Sequence, residues 1–190
     1  MSPRTQEAND ALHGERRKTI LDTALGAFVE KGFDGTRMQE IADRCALSYG
    51  LVYHYFPTKE AVFTTLVDMA LAAARSLIQS LPHGSPPQAF GAFVGFAVSD
   101  PSPMYFAIIV EALTKQGVPP ELAARARKTV LGFKDAFAAA GNEDLPGYAD
   151  AKAESILAIL LGVSIMKICR LSDGLFATHA ATVLAASGRE

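Results

Sequence analysis

Between Ser48 and Tyr55 the chain places four hydroxyls, an imidazole and a glycine within eight positions, SYGLVYHY. These groups donate and accept hydrogen bonds while carrying no negative charge, which suits them to phosphate oxygens and to the polar edges of bases. Tyr49, Gly50 and Leu51 fit base edges best. The Tyr49 hydroxyl donates or accepts, Gly50 lets the backbone approach closely, and Leu51 matches a thymine methyl. Ser48, Tyr53, His54, Tyr55 and, further on, Lys59 suit phosphate contacts, which position a protein without reading sequence. The set contains no bidentate base code.

Other chemistries find little support. Gly162-Val163-Ser164-Ile165-Met166 lacks the final glycine of a nucleophile elbow and lies in an apolar helical run, not at a strand-to-helix turn. His13, His54, His83 and His179 make no metal-ligand pair at helical spacing, and Cys45 and Cys169 lie far apart. No catalytic residue, metal or cofactor is therefore expected. Cys45 falls on an apolar helix stripe and reads as a buried, reduced thiol.

Two short helices must position the polar set. Thr36 is an N-cap candidate, with Gln39 where a capping box wants Glu or Gln, and Arg37 stands at the helix start. Met38, Ile41, Ala42 and Cys45 then recur at spacings of three and four, one inward stripe. Gln39 has a second reading, reaching a base from this helix. Ser48 offers the next N-cap, and Pro57 disfavours helical geometry at Phe56, so the second helix ends near Tyr55. A helix of about seven residues is unstable alone in water. Val52 and Phe56 must anchor it, leaving Gly50, Leu51 and His54 outward. Two packed short helices with the second one offered to solvent form a helix-turn-helix, whose second helix enters the major groove of DNA.

The segment GFDGTRMQEIADRCALSYGLVYHYFPTKEAVF, residues 32–63, resembles the N-terminal domain of TetR-family transcriptional regulators. Thr36, Ile41, Ala42, Ser48, Gly50, Tyr53, Tyr55, Phe56, Lys59 and Glu60 fall in the register of that family's pattern G-T…I-A…S-x-G-x-x-Y-x-Y-F-x-x-K-E. The match covers about the first third of the chain. Where many members carry Lys after the N-cap serine, this chain has Tyr49, which lowers the electrostatic attraction expected there. The resemblance implies an all-α protein: a three-helix helix-turn-helix domain joined to a C-terminal helical domain that binds a small molecule and dimerises through its last two helices.

Charge does not assist a nucleic-acid reading. The 190-residue chain has a net charge of -2, and residues 1–60 hold eight Lys and Arg against nine Asp and Glu. Binding would rest on local placement at Arg16, Arg17, Lys18, Arg37 and Lys59, with Lys59 at a helix start making a plausible phosphate clamp. With 49% hydrophobic residues the chain can bury a full core. The longest apolar candidate, 156–168, is interrupted by Ser164 and Lys167 and is too short to span a bilayer. The polar first residues lack a signal-peptide core, so no membrane association and a cytoplasmic location are expected.

In order, residues 1–12 lack periodicity and read as a mobile arm, followed by an amphipathic helix over 15–31 with the stripe Ile20, Leu21, Ala24, Ala27 and Phe28. Gly32 ends it in the position that favours a left-handed C-cap. Thr58 caps a long helix running toward Leu81, and residues 82–87 form a linker. The division is 1–57 for the arm and helix-turn-helix, 58–81 for the connecting helix, and 82–190 for the second domain. Five further helices are expected to start near Gln88, Met104, Glu121, Tyr148 and Leu175. The run ILAILLGVSIMKIC is apolar nearly all round and the last helix is rich in alanine, which together suggest a four-helix bundle across a two-fold axis.

Aromatic and Met residues of the second domain, Phe90, Phe93, Phe96, Met104, Tyr105, Phe133, Phe137 and Met166, are candidate liners of the implied pocket, each also readable as packed core. Glu111, Ser164 and Lys167 could orient a ligand. Few charges there favour a lipophilic, weakly charged effector. The expectation is a homodimeric repressor released from a palindromic DNA operator by a small molecule. Its rivals are an activator of the same fold, and a ligand-binding protein whose helix-turn-helix is only a structural cap.

Overall fold

The computed structural model describes residues 3–81, 102–115 and 117–140, with isolated helical positions at 92, 95, 96 and 162. Each described element is an α-helix: α1 Pro3–Gly35, α2 Met38–Arg44, α3 Tyr49–Tyr55, α4 Lys59–Ser80, α5 Ser102–Thr114 and α6 Pro120–Ala140. The chain divides into two compact units, residues 1–66 with 115–118, and residues 67–114 with 119–190.

In the first unit the expected stripe on α1 forms: Ile20, Leu21, Ala24, Ala27 and Phe28 are all buried. The helix starts at Pro3, however, which corrects the expected arm over 1–12. Proline suits a first helical turn, and Gln6, Glu7, Ala8 and Ala11 are good helix formers. Extending a helix already nucleated needs no apolar face. Residues 8–19 accordingly stand exposed. Gly32 breaks the helix at φ 73°, ψ 172°, a region open essentially to glycine alone.

Thr36 does not cap α2. The cap position is Arg37, whose side chain makes no cap hydrogen bond. Thr36 is fully buried and its hydroxyl turns back to the carbonyls of Gly32 at 2.8 Å and Ala27 at 3.1 Å. The last carbonyls of a helix lack intrahelical donors, so the hydroxyl satisfies a deeper need there than at the start of α2. The capping box is absent as well, since Gln39 Nε2 donates to Asp43 Oδ1 at 2.9 Å.

Between α2 and α3 the N–H of Leu47 bonds the Ala42 carbonyl and that of Ala46 the Asp43 carbonyl, the paired bonds of a Schellman turn. Ala46 occupies its left-handed position at φ 55°, where glycine is the usual residue. Replacing Ala46 by glycine is expected to raise unfolding stability by about 1 kcal/mol, read from the urea midpoint, because the Cβ clash of that conformation disappears. A loss of stability would show that the turn carries no strain. Ser48 then caps α3 as expected, accepting from the Leu51 N–H at 3.3 Å. Val52 and Phe56 are its buried anchors.

Thr58 caps α4 through the Ala61 N–H at 3.1 Å. By length and composition α4 is apolar enough to cross a membrane, a feature the sequence reading placed no nearer than 156–168. Val62, Phe63, Leu66, Val67, Ala70, Leu71, Ala74 and Leu77 are nevertheless packed inside protein, as in any core helix. In the second unit α5 buries Phe106, Ile108, Ile109 and Ala112, and α6 buries Leu122, Ala126, Thr129 and Phe133 at spacings of three and four. An Arg125–Asp68 ion pair ties α6 to α4. The helices expected near Gln88, Tyr148 and Leu175, and the pairing of the last two, lie outside the described residues.

Candidate nucleic-acid interface

The seven residues of α3 bury one side and offer the other. Ser48, Tyr49, Gly50 and His54 are exposed, and Leu51, Tyr53 and Tyr55 are half-buried. Apart from Tyr49, Leu51 and the backbone of α3 itself, no heavy atom lies within 4 Å of where a Gly50 Cβ would stand, so that surface is open to a close approach. Tyr49 and Tyr53 face each other one turn apart, with rings 4.5 Å between centroids and hydroxyls 2.8 Å apart. Their hydrogen bond, and then burial and the charge of Glu60, hold the Tyr53 hydroxyl above its ordinary 10.0, hence protonated. On the other flank Tyr55 packs against His13 of α1 at 4.4 Å. Sequence reasoning missed His13 as a support, because nothing local links positions 13 and 55.

Cations near α3 sort into two sets. Lys31 and Arg44 both lie 2.7 Å from Glu40 Oε1, and Arg44 also meets Glu30 at 2.7 Å. This quartet joins the end of α1 to α2 and uses up both charges. Lys18 is paired with Asp22 at 2.8 Å. Arg16 and Arg37 are exposed with no ion pair among the described residues, and Arg17 stands 5.0 Å over the Phe56 ring. Among the described side chains near α3, these three arginines are the positive charge that no carboxylate or carbonyl holds.

Glu40 is held below its ordinary 4.5, first by its hydrogen bond to Lys31 and also by Arg44. A carboxyl depressed on folding adds stability above its unfolded value, and loses it as pH falls through the folded one. We expect the urea midpoint to decline below about pH 4.5, and Glu40→Gln to flatten that decline while lowering the midpoint at neutral pH. An identical acid limb in the variant would refute the assignment.

Two residues expected at the interface stand elsewhere. Thr36 is sealed beneath the end of α1, as described. Lys59 does not project as a clamp: its ammonium donates to the Phe33 carbonyl at 2.6 Å and lies 4.3 Å from the Phe33 ring centroid. The end of a helix attracts cations as its start attracts anions, and the nearer of the two wins. Gln39 and Arg37 remain exposed on α2 and its entry. Cys45 is half-buried rather than enclosed, because it sits at the helix cap with its thiol 3.8 Å from the Thr19 carbonyl.

Of the expected effector-site residues, Phe96 and Tyr105 border a closed-up apolar cavity with Ala70, Ala73, Ala74, Phe106 and Ile109. It has no room for a water molecule. Phe133 is packed core, its ring tilted toward that of Phe106 at 6.5 Å between centroids, and does not line that cavity. Met104 and Glu111 are half-buried on α5. Phe90, Phe93, Ser164, Met166, Lys167 and the Phe137 side chain lie outside the described residues.

Residues 20–66 match the family model described as "Bacterial regulatory proteins, tetR family". The HTH-type transcriptional regulator YuxN of Bacillus subtilis is 44% identical over 54 residues, covering 28% of this chain and 19% of that protein. RutR of Escherichia coli K12 is 38% identical over 56 residues, 30% of this chain and 26% of RutR. The chain thus spans about a quarter or less of these relatives. A transcriptional regulator from Rhodococcus sp. Rha1 shares the fold at TM-score 0.64 and 19% identity, over 90% of this chain and 94% of that one. AibR, solved with isovaleryl coenzyme A and operator DNA, aligns at TM-score 0.62 and 25% identity, over 78% of this chain and 85% of AibR. Over residues 20–66, which hold the helix-turn-helix, the chain is thus similar to the TetR family of bacterial regulatory proteins.

Proposed function

We propose that the protein is a sequence-specific DNA-binding transcriptional regulator, a homodimeric repressor released from a palindromic operator by a small-molecule effector. The observation that carries this reading is α3: a helix too short to stand alone is anchored by Val52 and Phe56 while Ser48, Tyr49, Gly50 and His54 face solvent. A purely structural cap has no use for such an outer face. The functional division is 1–57 for DNA, 58–81 as connector and 82–190 for effector and dimer. The regulators it resembles are not named as enzymes, and a cytoplasmic site of action follows from a DNA target.

Two recognition helices on one dimer dock together only at about 34 Å or a multiple of it. An effector that fits the undocked spacing better shifts the population away from the operator by its differential affinity. The narrow apolar cavity beside Phe96 and Tyr105 is consistent with a lipophilic effector that must open it. AibR was solved in complex with both isovaleryl coenzyme A and operator DNA, which supports a small molecule and an operator as partners here. The test is selection of bound genomic fragments by the purified protein at graded salt. A recovered pseudo-palindrome with salt-dependent retention supports the reading; weak, sequence-blind retention refutes it.

A further inference from the structure

Tyr49 is the residue whose side chain differs most from what its position suggests. As an exposed residue in the first turn of α3 it looks like a reader of bases. Its hydroxyl, however, is committed to Tyr53 at 2.8 Å, and the two rings are in contact at a tilt of 56°. Two phenols sharing one hydrogen bond have one proton left to give outward. With Tyr49 as donor, that proton is on Tyr53 and is free to point outward. Tyr53 has no other hydrogen-bond partner among the described residues. The pair runs along a flank of α3, whereas Gly50 and His54 occupy the outer face that would point to the groove floor. Flanks of a helix lying in a groove meet the phosphate walls. A neutral hydroxyl also tolerates the nearby Glu60 carboxylate, which keeps Tyr53 protonated.

We propose that Tyr49 is a positioning residue: its hydroxyl sets that of Tyr53 to donate a hydrogen bond to a backbone phosphate of duplex DNA, and Tyr49 itself reads no base. This rests on the DNA-binding reading above. It departs from the assignment of Tyr49 to base edges, and it gives the chain a neutral phosphate contact where a lysine would offer charge.

The experiment is a double-mutant cycle on the full chain, with Tyr49→Phe, Tyr53→Phe and both together, each titrated with a duplex selected by the wild type and with that duplex mutated singly at every position. Phenylalanine preserves the ring contact, and thermal melts confirm equal folding. Tyr53→Phe is expected to weaken binding by about tenfold, and Tyr49→Phe by about threefold, with the double variant no weaker than Tyr53→Phe alone. Base preference at every position stays that of the wild type. A Tyr49→Phe variant that relaxes preference at one base pair, or one whose loss adds fully to that of Tyr53→Phe, overturns the proposal while leaving DNA binding intact. Failure of the wild type to retain any duplex instead removes the DNA-binding reading itself.

Discussion

Replacing Phe63 by alanine is expected to lower the unfolding free energy by about 3–5 kcal/mol, the largest single loss in the first unit. Phe63 is 1% exposed and sits 5.2 Å edge-on from Phe28 and 4.9 Å from Phe33, centroid to centroid. The three rings join the end of α1 to the start of α4, at the point where Lys59 also holds the Phe33 carbonyl. Truncation removes the transfer energy of a large apolar side chain and leaves a cavity whose walls, two other rings, cannot collapse freely. A domain of this size holds only about 5–15 kcal/mol in all. Urea unfolding followed by far-UV circular dichroism measures the change. Leu131→Ala serves as control, since that side chain is 52% exposed and should shift stability by less than about 0.5 kcal/mol. A Phe63 variant within about 1 kcal/mol of the wild type would mean that these rings are not the keystone of the unit.

What could be read in the sequence was what local rules decide. Ser48 and Thr58 cap their helices because a hydroxyl three residues before a free N–H has one obvious partner. Val52, Phe56 and the α1 stripe follow from helical spacing, and α3 stops at Tyr55 because Pro57 is two residues away. Thr36 and Lys59 were misread for the opposite reason. Each had a local role on offer, at a helix start, and each turns instead to carbonyls at the end of α1: Thr36 to Gly32 and Ala27, four and nine residues back, and Lys59 to Phe33, 26 back. The tertiary fold brings the Ala27 and Phe33 carbonyls there, and no spacing rule announces them. His13 behind Tyr55 and the Lys31–Glu40–Arg44–Glu30 quartet are of the same kind. In the second unit aromatic composition could not tell Phe133, locked in the core, from Phe96 and Tyr105 at the cavity, because pocket and core draw on the same residues. Tyr49 and Tyr53 were visible as neighbours at a spacing of four, yet their shared bond changes what either can do.

The charge arrangement gives the second large effect. Releasing counterions contributes a slope of about −0.9 in log affinity against log salt for each phosphate neutralised. Among the described residues from Ala8 to Lys59, Arg16, Arg17 and Arg37 are the cations held neither by a carboxylate nor, like Lys59, by a carbonyl, so the slope should be near −2.7 per protomer. Raising salt from about 50 to about 200 mM should then weaken operator binding by roughly 40-fold for one protomer and by roughly a thousandfold or more for two acting together. Arg37→Ala should flatten the slope by about 0.9 per protomer without altering which duplex is preferred. Lys31→Gln tests the other half of the claim: its charge already faces Glu40 at 2.7 Å, so the slope should stay while α1 loses part of its hold on α2. Fluorescence anisotropy across a salt series reads both variants. A Lys31→Gln slope as shallow as that of Arg37→Ala would mean that the ion quartet opens to meet DNA, and that the division into paired and available cations does not survive binding.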